Sequence, residues 1–414
     1  MIKERTNRRA RIKTLAAKTF VLLAAFGLFA FNHTEPMTQL RQMPEAVFAQ
    51  SEAELYDKLG QYSAGSLVAA ASSDDESLNG RQVALRLPFG LTVGSVRAFV
   101  GSRPRLTPGG EPVGVSIYTE GVLVVGLSEF RDDSGRKASP AAEAGVRPGD
   151  VIRSVGGAAV SSADELSKAL ESCPEAELVI ERAGRRIGLT VRARRDEYGA
   201  VKMGAWVRDS TIGVGTLSFI DPEGGIAAAL GHAVLDPDTG ALLAVRDGRL
   251  VSANILGVTK GRQGAPGELH GNFSSESPYI ARVTANTGLG IFGRLEAGAA
   301  CPVSGEPIET AFPDEVKRGP AVILCAASGR VEEYSCVIRF AERQSEPAPK
   351  GLVIEVTDER LIELTGGVVQ GMSGSPIIQD GRLVGAVTHV FVNDPLKGYG
   401  AYAYWMYMKA RDEG

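Results

Sequence analysis

The stretch Gly366-Gly367-Val368-Val369-Gln370-Gly371-Met372-Ser373-Gly374-Ser375-Pro376-Ile377-Ile378 decides how this chain is read. It sets Ser373 inside Gly371-Met372-Ser373-Gly374-Ser375-Pro376, with apolar runs on both sides. Glycine at 371 and 374 lets the backbone take a tight turn that a side chain would resist. Such a turn exposes a hydroxyl and gathers backbone N–H groups at one point, where they can stabilise the oxyanion of acyl transfer. On this reading the N–H groups of Gly371 and Ser373 form an oxyanion hole and Ser373 is the nucleophile. The plain alternative is a Gly/Ser/Pro loop between two strands.

A serine hydroxyl is a poor nucleophile without a base in hydrogen-bond reach. The histidines are His33, His232, His270 and His389. His33 follows an apolar N-terminal segment, and His270, in Gly-Glu-Leu-His-Gly, reads as a loop residue. His232 closes the run Ile226-Ala227-Ala228-Ala229-Leu230-Gly231-His232. An apolar strand ending in Gly-His is how trypsin-like folds place their base, with base and nucleophile drawn from two barrels that share a cleft. His389 lies on the strand after the serine that lines the specificity pocket in such folds. It is the candidate specificity residue, suited to a polar or acidic side chain. The base needs a carboxylate to fix its tautomer. Asp358, Asp236, Asp394 and Asp314 are all candidates, and spacing does not choose among them.

A length of 414 residues suggests two or three domains. A net charge of -4 and a pI near 5.8 give no general attraction to nucleic acid. Gly 50, Pro 21 and only 6% aromatic residues favour turn-rich β structure. Cys173, Cys301, Cys325 and Cys336 form no Cys-x-x-Cys pair, so no zinc site is expected, and no nucleotide loop or other cofactor motif is present. A disulfide among Cys301, Cys325 and Cys336 stays open. Seven Lys and Arg side chains precede the apolar run Thr19–Phe31. That order predicts a signal or membrane anchor over 1–33, uncleaved or cleaved late, with everything after it on the outer face.

Residues 34–106 read as stalk and linker, with a short helix capped by Ser51 and Glu54 and enough alternation from Val83 to Phe99 for one or two strands. Over 107–195 the spacing predicts strands at Gly114–Tyr118 and Gly121–Leu127, a short helix stopped by Gly145, and a Pro148-Gly149 turn. A strand, a helix capped by Ser162 and two closing strands follow. The stretch Ala144-Gly145-Val146-Arg147-Pro148-Gly149-Asp150-Val151-Ile152 resembles a PDZ domain. The resemblance implies a groove beside Gly121, Val122, Leu123 and Val124 that takes an extended peptide as an added strand. Residues 200–414 show many short apolar runs between turn residues, an all-β pattern.

Taken together, the anchor, the PDZ unit, the Gly231-His232 pair and the serine motif resemble the stage IV sporulation protein B family of serine peptidases. The closest stretch runs from Gly366 through Ser373 and Val384-Gly385-Ala386-Val387-Thr388-His389 to Gly398-Tyr399-Gly400. The resemblance implies a mainly β, multidomain chain: membrane anchor, α+β PDZ domain and trypsin-like double β-barrel. It also implies His232 as base, Asp358 as acid and Ser373 as nucleophile. The implied activity is a self-cleaving signalling endopeptidase in the space between forespore and mother-cell membranes. Its implied target is the regulatory subunit of a membrane-embedded protease complex that processes the sigma-K precursor. The PDZ unit would bind the chain's own N-terminal region. The alternatives are a membrane-tethered PDZ adaptor without activity and a general envelope quality-control protease, which usually carries its PDZ unit after the catalytic one.

Overall fold

The computed structural model describes residues 34–63, 68–71, 80–86, 90, 92–274 and 276–413. The expected anchor over 1–33 and residues 72–79 of the expected linker lie outside the described residues. No helix of the described residues is long and apolar enough to cross a membrane.

The expectation of a stalk over 34–106 is corrected, while the helix and the strands expected within it are present. The chain up to Ser102, with Arg343–Glu346, is a unit of its own. Its four-stranded sheet runs Ala46–Ala49, Thr92–Val100, Arg81–Arg86, Val68–Ala71. Val83, Leu85, Val96 and Ala98 alternate along two of these strands and point to one face. Leu55 and Leu59, four apart on the helix Glu52–Ser63, close the core over Val47. Ser51 Oγ accepts the Glu54 N–H and the Glu54 carboxylate accepts the Gln50 N–H, which caps that helix.

The second unit begins at Arg103. Its organising element is a long strand, β1 (Pro112–Leu127). The sequence reading split it in two and gave both halves to the PDZ unit. In the structure its first half is a barrel strand and its second half belongs to the PDZ sheet. That sheet continues with β2 (Val151–Val155), the helix α1 (Ala163–Ser172), β3 (Glu175–Arg182) and β4 (Arg185–Arg192). Ser162 caps α1 by accepting the Glu165 N–H, and Leu166 and Leu170 bury its inner face. The chain returns along β5 (Ala205–Asp221), which pairs with β1 over nearly its whole length. Arg208 faces Leu123 but Ser210 faces Tyr118, so β1 bulges between the two halves. Gly121 takes φ +84° there, where a Cβ would meet the Ile152 carbonyl at 2.6 Å. The PDZ unit is therefore an insertion between two paired barrel strands, and a peptidase unit starting at 200 would lack the first of them.

The first barrel adds β6 (Ile226–Ala229), β7 (Val245–Ser252), β10 (Tyr279–Thr287) and β11 (Gly290–Arg294). Between β7 and β10 an arm projects as the hairpin β8 (Asn254–Thr259) and β9 (Glu268–Asn272). Neighbours run β1-β7-β10-β11-β6-β5, and β5 pairs back to β1, so six strands close a ring. Val113, Val115, Ile117, Leu217, Leu250 and Ile291 fill it.

A second ring is built from β12 (Gly319–Cys325), β13 (Glu332–Ala341), β14 (Leu352–Val356), β15 (Pro376–Gln379), β16 (Arg382–Val390) and β17 (Lys397–Tyr402). The helix α2 (Glu359–Thr365) lies between β14 and the nucleophile turn, and α3 (Ala403–Glu413) ends the chain with Trp405 fully buried. All four cysteines are free. Burial pushes the thiols of Cys325 and Cys336 up to about 12, which keeps them protonated and inert.

Candidate active site

His232 reaches the cleft through a sharp turn. After β6, Leu230 takes φ +70° and Gly231 φ +67°. A leucine in the left-handed region is strained, and such strain concentrates at functional sites. Leu230 and His232 both line the cleft. Asn286 on β10 fixes the segment beyond, accepting the Val234 N–H at 2.9 Å and donating to the Val234 carbonyl at 2.8 Å. His232 Nδ1 lies 2.8 Å from the Ala233 carbonyl. A carbonyl only accepts, so Nδ1 carries the proton and the Nε2 lone pair is left as a base. Burial holds His232 below its ordinary pKa, with the Ala233 bond acting weakly the other way.

Ser373 sits in a turn held by the first barrel. Gly371 takes φ +92° and Gly374 φ +100°. A Cβ at 374 would lie 2.0 Å from the Thr216 carbonyl, so no other residue fits. Buried Thr216 on β5 donates its N–H to the Ser373 carbonyl at 2.9 Å and its Oγ1–H to the Gly371 carbonyl at 2.7 Å. Gly374 N–H donates to Val387 on β16 at 2.7 Å. Among the described residues the N–H groups of Gly371 and Ser373 donate to nothing, which leaves both available to an oxyanion. Ser373 Oγ donates to the Thr388 carbonyl at 2.7 Å.

These groups border one cavity of about 430 Å³ between the two barrels. His232, Ser373, Gly371 and His389 line it with Val368, Val387 and Ile212, and among the described residues no Asp, Glu, Lys or Arg side chain does. The rings of His232 and His389 are 4.8 Å apart, tilted by 37°. Burial, then the charges of His232 and Lys350, push His389 down to about 4. Both imidazoles are neutral at pH 7. The arrangement has the parts that nucleophilic acyl transfer needs: a hydroxyl at Ser373, an imidazole with a free Nε2 at His232, and two backbone N–H groups left unpaired among the described residues.

The structure brings His232, Ser373, Gly371 and His389 together and leaves Asp358 apart. Asp358 is the N-cap of α2. Its carboxylate accepts from the N–H groups of Arg360 and Ser335 and from the Arg360 guanidinium. That guanidinium holds its carboxyl below the usual range. It shares no hydrogen bond with His232, whose Nδ1 is taken by Ala233. Asp236 binds Thr239 and Arg208 as a turn residue, Asp394 pairs with Lys397, and His270 bonds Thr259 on the arm.

The expected peptide groove beside Gly121, Val122, Leu123 and Val124 is also corrected. Val122 and Leu123 pair with β2 on one edge, and Leu123 and Val124 pair with β5 on the other. No edge remains for a peptide. Ala205–Arg208 of β5 does keep one, since among the described residues its only strand partner is β1. The α1 N-terminus abuts it, with Ala163 N–H donating to Asp209 at 2.8 Å.

Sequence reasoning missed Thr216 and Thr388. Gly213-Val214-Gly215-Thr216 did carry a signal, because glycines in a strand mark close backbone approach. A Cβ on Gly215 would strike Leu230 at 1.9 Å. Among the described residues no group of three or more His, Cys, Asp or Glu could hold a metal.

The family model described as SpoIVB peptidase S55 matches residues 199–407, and a PDZ domain model matches 131–182. No curated protein matches the chain. Among solved structures it is similar to the active form of the Rv3671c protease from M. tuberculosis. Identity is 16% and TM-score 0.30, over 49% of this chain and 75% of that one. The inactive form of the same protease gives 15% identity and TM-score 0.27, over 49% and 84%.

Proposed function

The chain belongs to the SpoIVB peptidase S55 family and is a serine endopeptidase, and from that premise we propose that it is a signalling peptidase of sporulation. In this reading it acts in the space between forespore and mother-cell membranes, held there or delivered by the N-terminal 1–33 segment. It cleaves itself and then the regulatory subunit of a membrane-embedded protease complex, which releases processing of the sigma-K precursor. Ser373 is the nucleophile, His232 the base, and Gly371 and Ser373 supply the oxyanion donors. The observation that carries the reading is the convergence of Ser373, His232 and two unpaired N–H groups on one cavity. The PDZ unit recruits the chain's own N-terminal region or the target along the free Ala205–Arg208 edge. Tethering of that kind raises the local substrate concentration at Ser373.

Co-expression of the full chain with the membrane complex tests this. Wild type is expected to yield N-terminal self-cleavage fragments, a cut regulatory subunit and mature sigma-K. Ser373→Ala alone is expected to yield none of these and to be cut by wild type in trans. Fragments persisting in Ser373→Ala alone would assign the cleavage to another protease. A PDZ adaptor would bind the complex and leave it intact.

A further inference from the structure

Gln370 directly precedes the first glycine of the nucleophile turn, and its backbone is held from the other barrel. Its N–H donates to the Gly267 carbonyl and its carbonyl accepts the Leu269 N–H, both at 2.8 Å. The pair forms a short parallel bridge between β9 and the nucleophile turn. The arm that carries Leu269 is itself tied to the second barrel. Gly261 N–H donates to Thr365 at 2.7 Å and Gly264 N–H to Val392 at 2.8 Å. A Cβ at position 371 would stand 2.9 Å from Leu269 Cβ, so the leucine covers this turn closely.

A trans peptide is planar, with its carbonyl and N–H pointing in opposite directions. The carbonyl of Gln370 and the N–H of Gly371 belong to one such plane. Turning that carbonyl onto Leu269 directs the Gly371 N–H away from β9. We propose that the Leu269 N–H is a positioning group that locks the Gln370–Gly371 peptide with its N–H presented to the oxyanion. Without the latch the peptide is free to turn over and offer a carbonyl, which repels an oxyanion. The first barrel thus contributes the setting of the oxyanion hole as well as the base. The inference rests on Gly371 being an oxyanion donor.

Leu269→Pro deletes this N–H, and Leu269→Ala keeps it while removing the side chain. Loss of one oxyanion donor typically lowers kcat by about 10²–10³. For Leu269→Pro we expect kcat about 100-fold below that of Leu269→Ala, KM within about threefold, and a matching loss of affinity for a peptide aldehyde that forms a tetrahedral adduct. Equal kcat in the two variants, with both folded, would overturn the latch. Hydrogen exchange at the Leu269 amide of the wild-type chain is the check that needs no variant. Protection is expected, and exchange at the rate of a free peptide would also overturn the proposal. Labelling of wild-type Ser373 by an alkyl fluorophosphonate separates this result from failure of the peptidase reading. An unlabelled Ser373 strikes at the nucleophile, while the exchange measurement still decides the latch.

Discussion

Ser373 Oγ gives its hydrogen bond to the carbonyl of Thr388, not to His232. Thr388 lies where the β16–β17 ladder slips, between Val387 and Val390, so its carbonyl leaves the ladder and caps the nucleophile. The hydroxyl must rotate off this acceptor before His232 can take its proton. His232 Nδ1 carries the proton, and among the described residues the N–H groups of Gly371 and Ser373 are unpaired.

The pH dependence follows from burial of the base. Burial lowers His232 from its ordinary value, and the neutral ring is the form that acts. The acid limb of kcat/KM should therefore fall below pH 6.5, with activity rising as pH climbs through the folded-state pKa. Stability moves with the same sign. His389 is pushed down to about 4 in the folded chain, so the stability of its neutral form is fully present above about 6.5 and is lost as pH falls toward 4. Denaturant midpoints at pH 7 and pH 5 should show a smaller acid loss in His389→Gln than in wild type. An acid limb above pH 7 would contradict the buried, neutral base.

Asp358→Asn separates two roles for one carboxylate. Asn keeps an oxygen for the N-cap of α2, so the change removes only the charge that faces the exposed Arg360 guanidinium; it should cost about 0–1 kcal/mol of stability and leave kcat within a few-fold. A carboxylate that orients the catalytic histidine gives a loss of about 10⁴ in kcat when made an amide. Paired unfolding and kinetic measurements distinguish these outcomes. The larger loss would mean that α2 moves to deliver Asp358 to His232 in the working enzyme.

The parts of the molecule legible in the sequence are those set by local chemistry. Gly371 and Gly374 around Ser373 announce a turn that only glycine tolerates, and the structure has both at positive φ. Ser162 ahead of an amphipathic run marks a helix start, and Ser162 caps α1. What escaped is what depends on pairing over long separations. Gly114–Tyr118 and Gly121–Leu127 look alike as short apolar strands, yet one closes a barrel with β7 and the other pairs with β2. Nothing local to β1 records that β5, beyond the whole PDZ insertion, fills its second edge. Thr216 escaped for the same reason: its partners at 371 and 373 lie more than 150 residues away. Asp358 was chosen by resemblance, and its N-cap geometry became visible only once α2 was placed.

The lining of the cavity sets an expectation for substrates. With no Asp, Glu, Lys or Arg among the described residues on its wall, a charged substrate side chain entering it loses water and gains no charged partner there. His389, neutral at pH 7, supplies no charge to an acidic one. Fluorogenic peptides varied at the residue before the cut should be cleaved fastest with Val, Leu or Ile there, and slowest with Asp, Glu, Lys or Arg. Ile212 is 72% exposed and on the cavity wall, so substituting it removes little from the core. Ile212→Glu should raise cleavage of the Lys peptide relative to the Leu peptide. Faster cleavage of acidic peptides by wild type would restore the polar role expected for His389.

Thr216 offers the sharpest test of how the nucleophile turn is held. Its N–H and its hydroxyl grip the carbonyls on both sides of the turn, at Ser373 and at Gly371. Thr216→Val keeps the shape and the N–H and removes only the hydroxyl donor. The Gly371 carbonyl then loses a buried partner, a change that costs about 1–3 kcal/mol. If the clamp shapes the transition state, kcat should drop by about tenfold or more while KM holds, because the substrate side chains meet the same cavity. Thr216→Ser restores the hydroxyl and should recover most of the rate. Steady-state kinetics of the two variants, read beside their unfolding midpoints, decides the matter. A stability loss in Thr216→Val without a fall in kcat would make Thr216 a brace between the barrels with no part in setting the oxyanion hole.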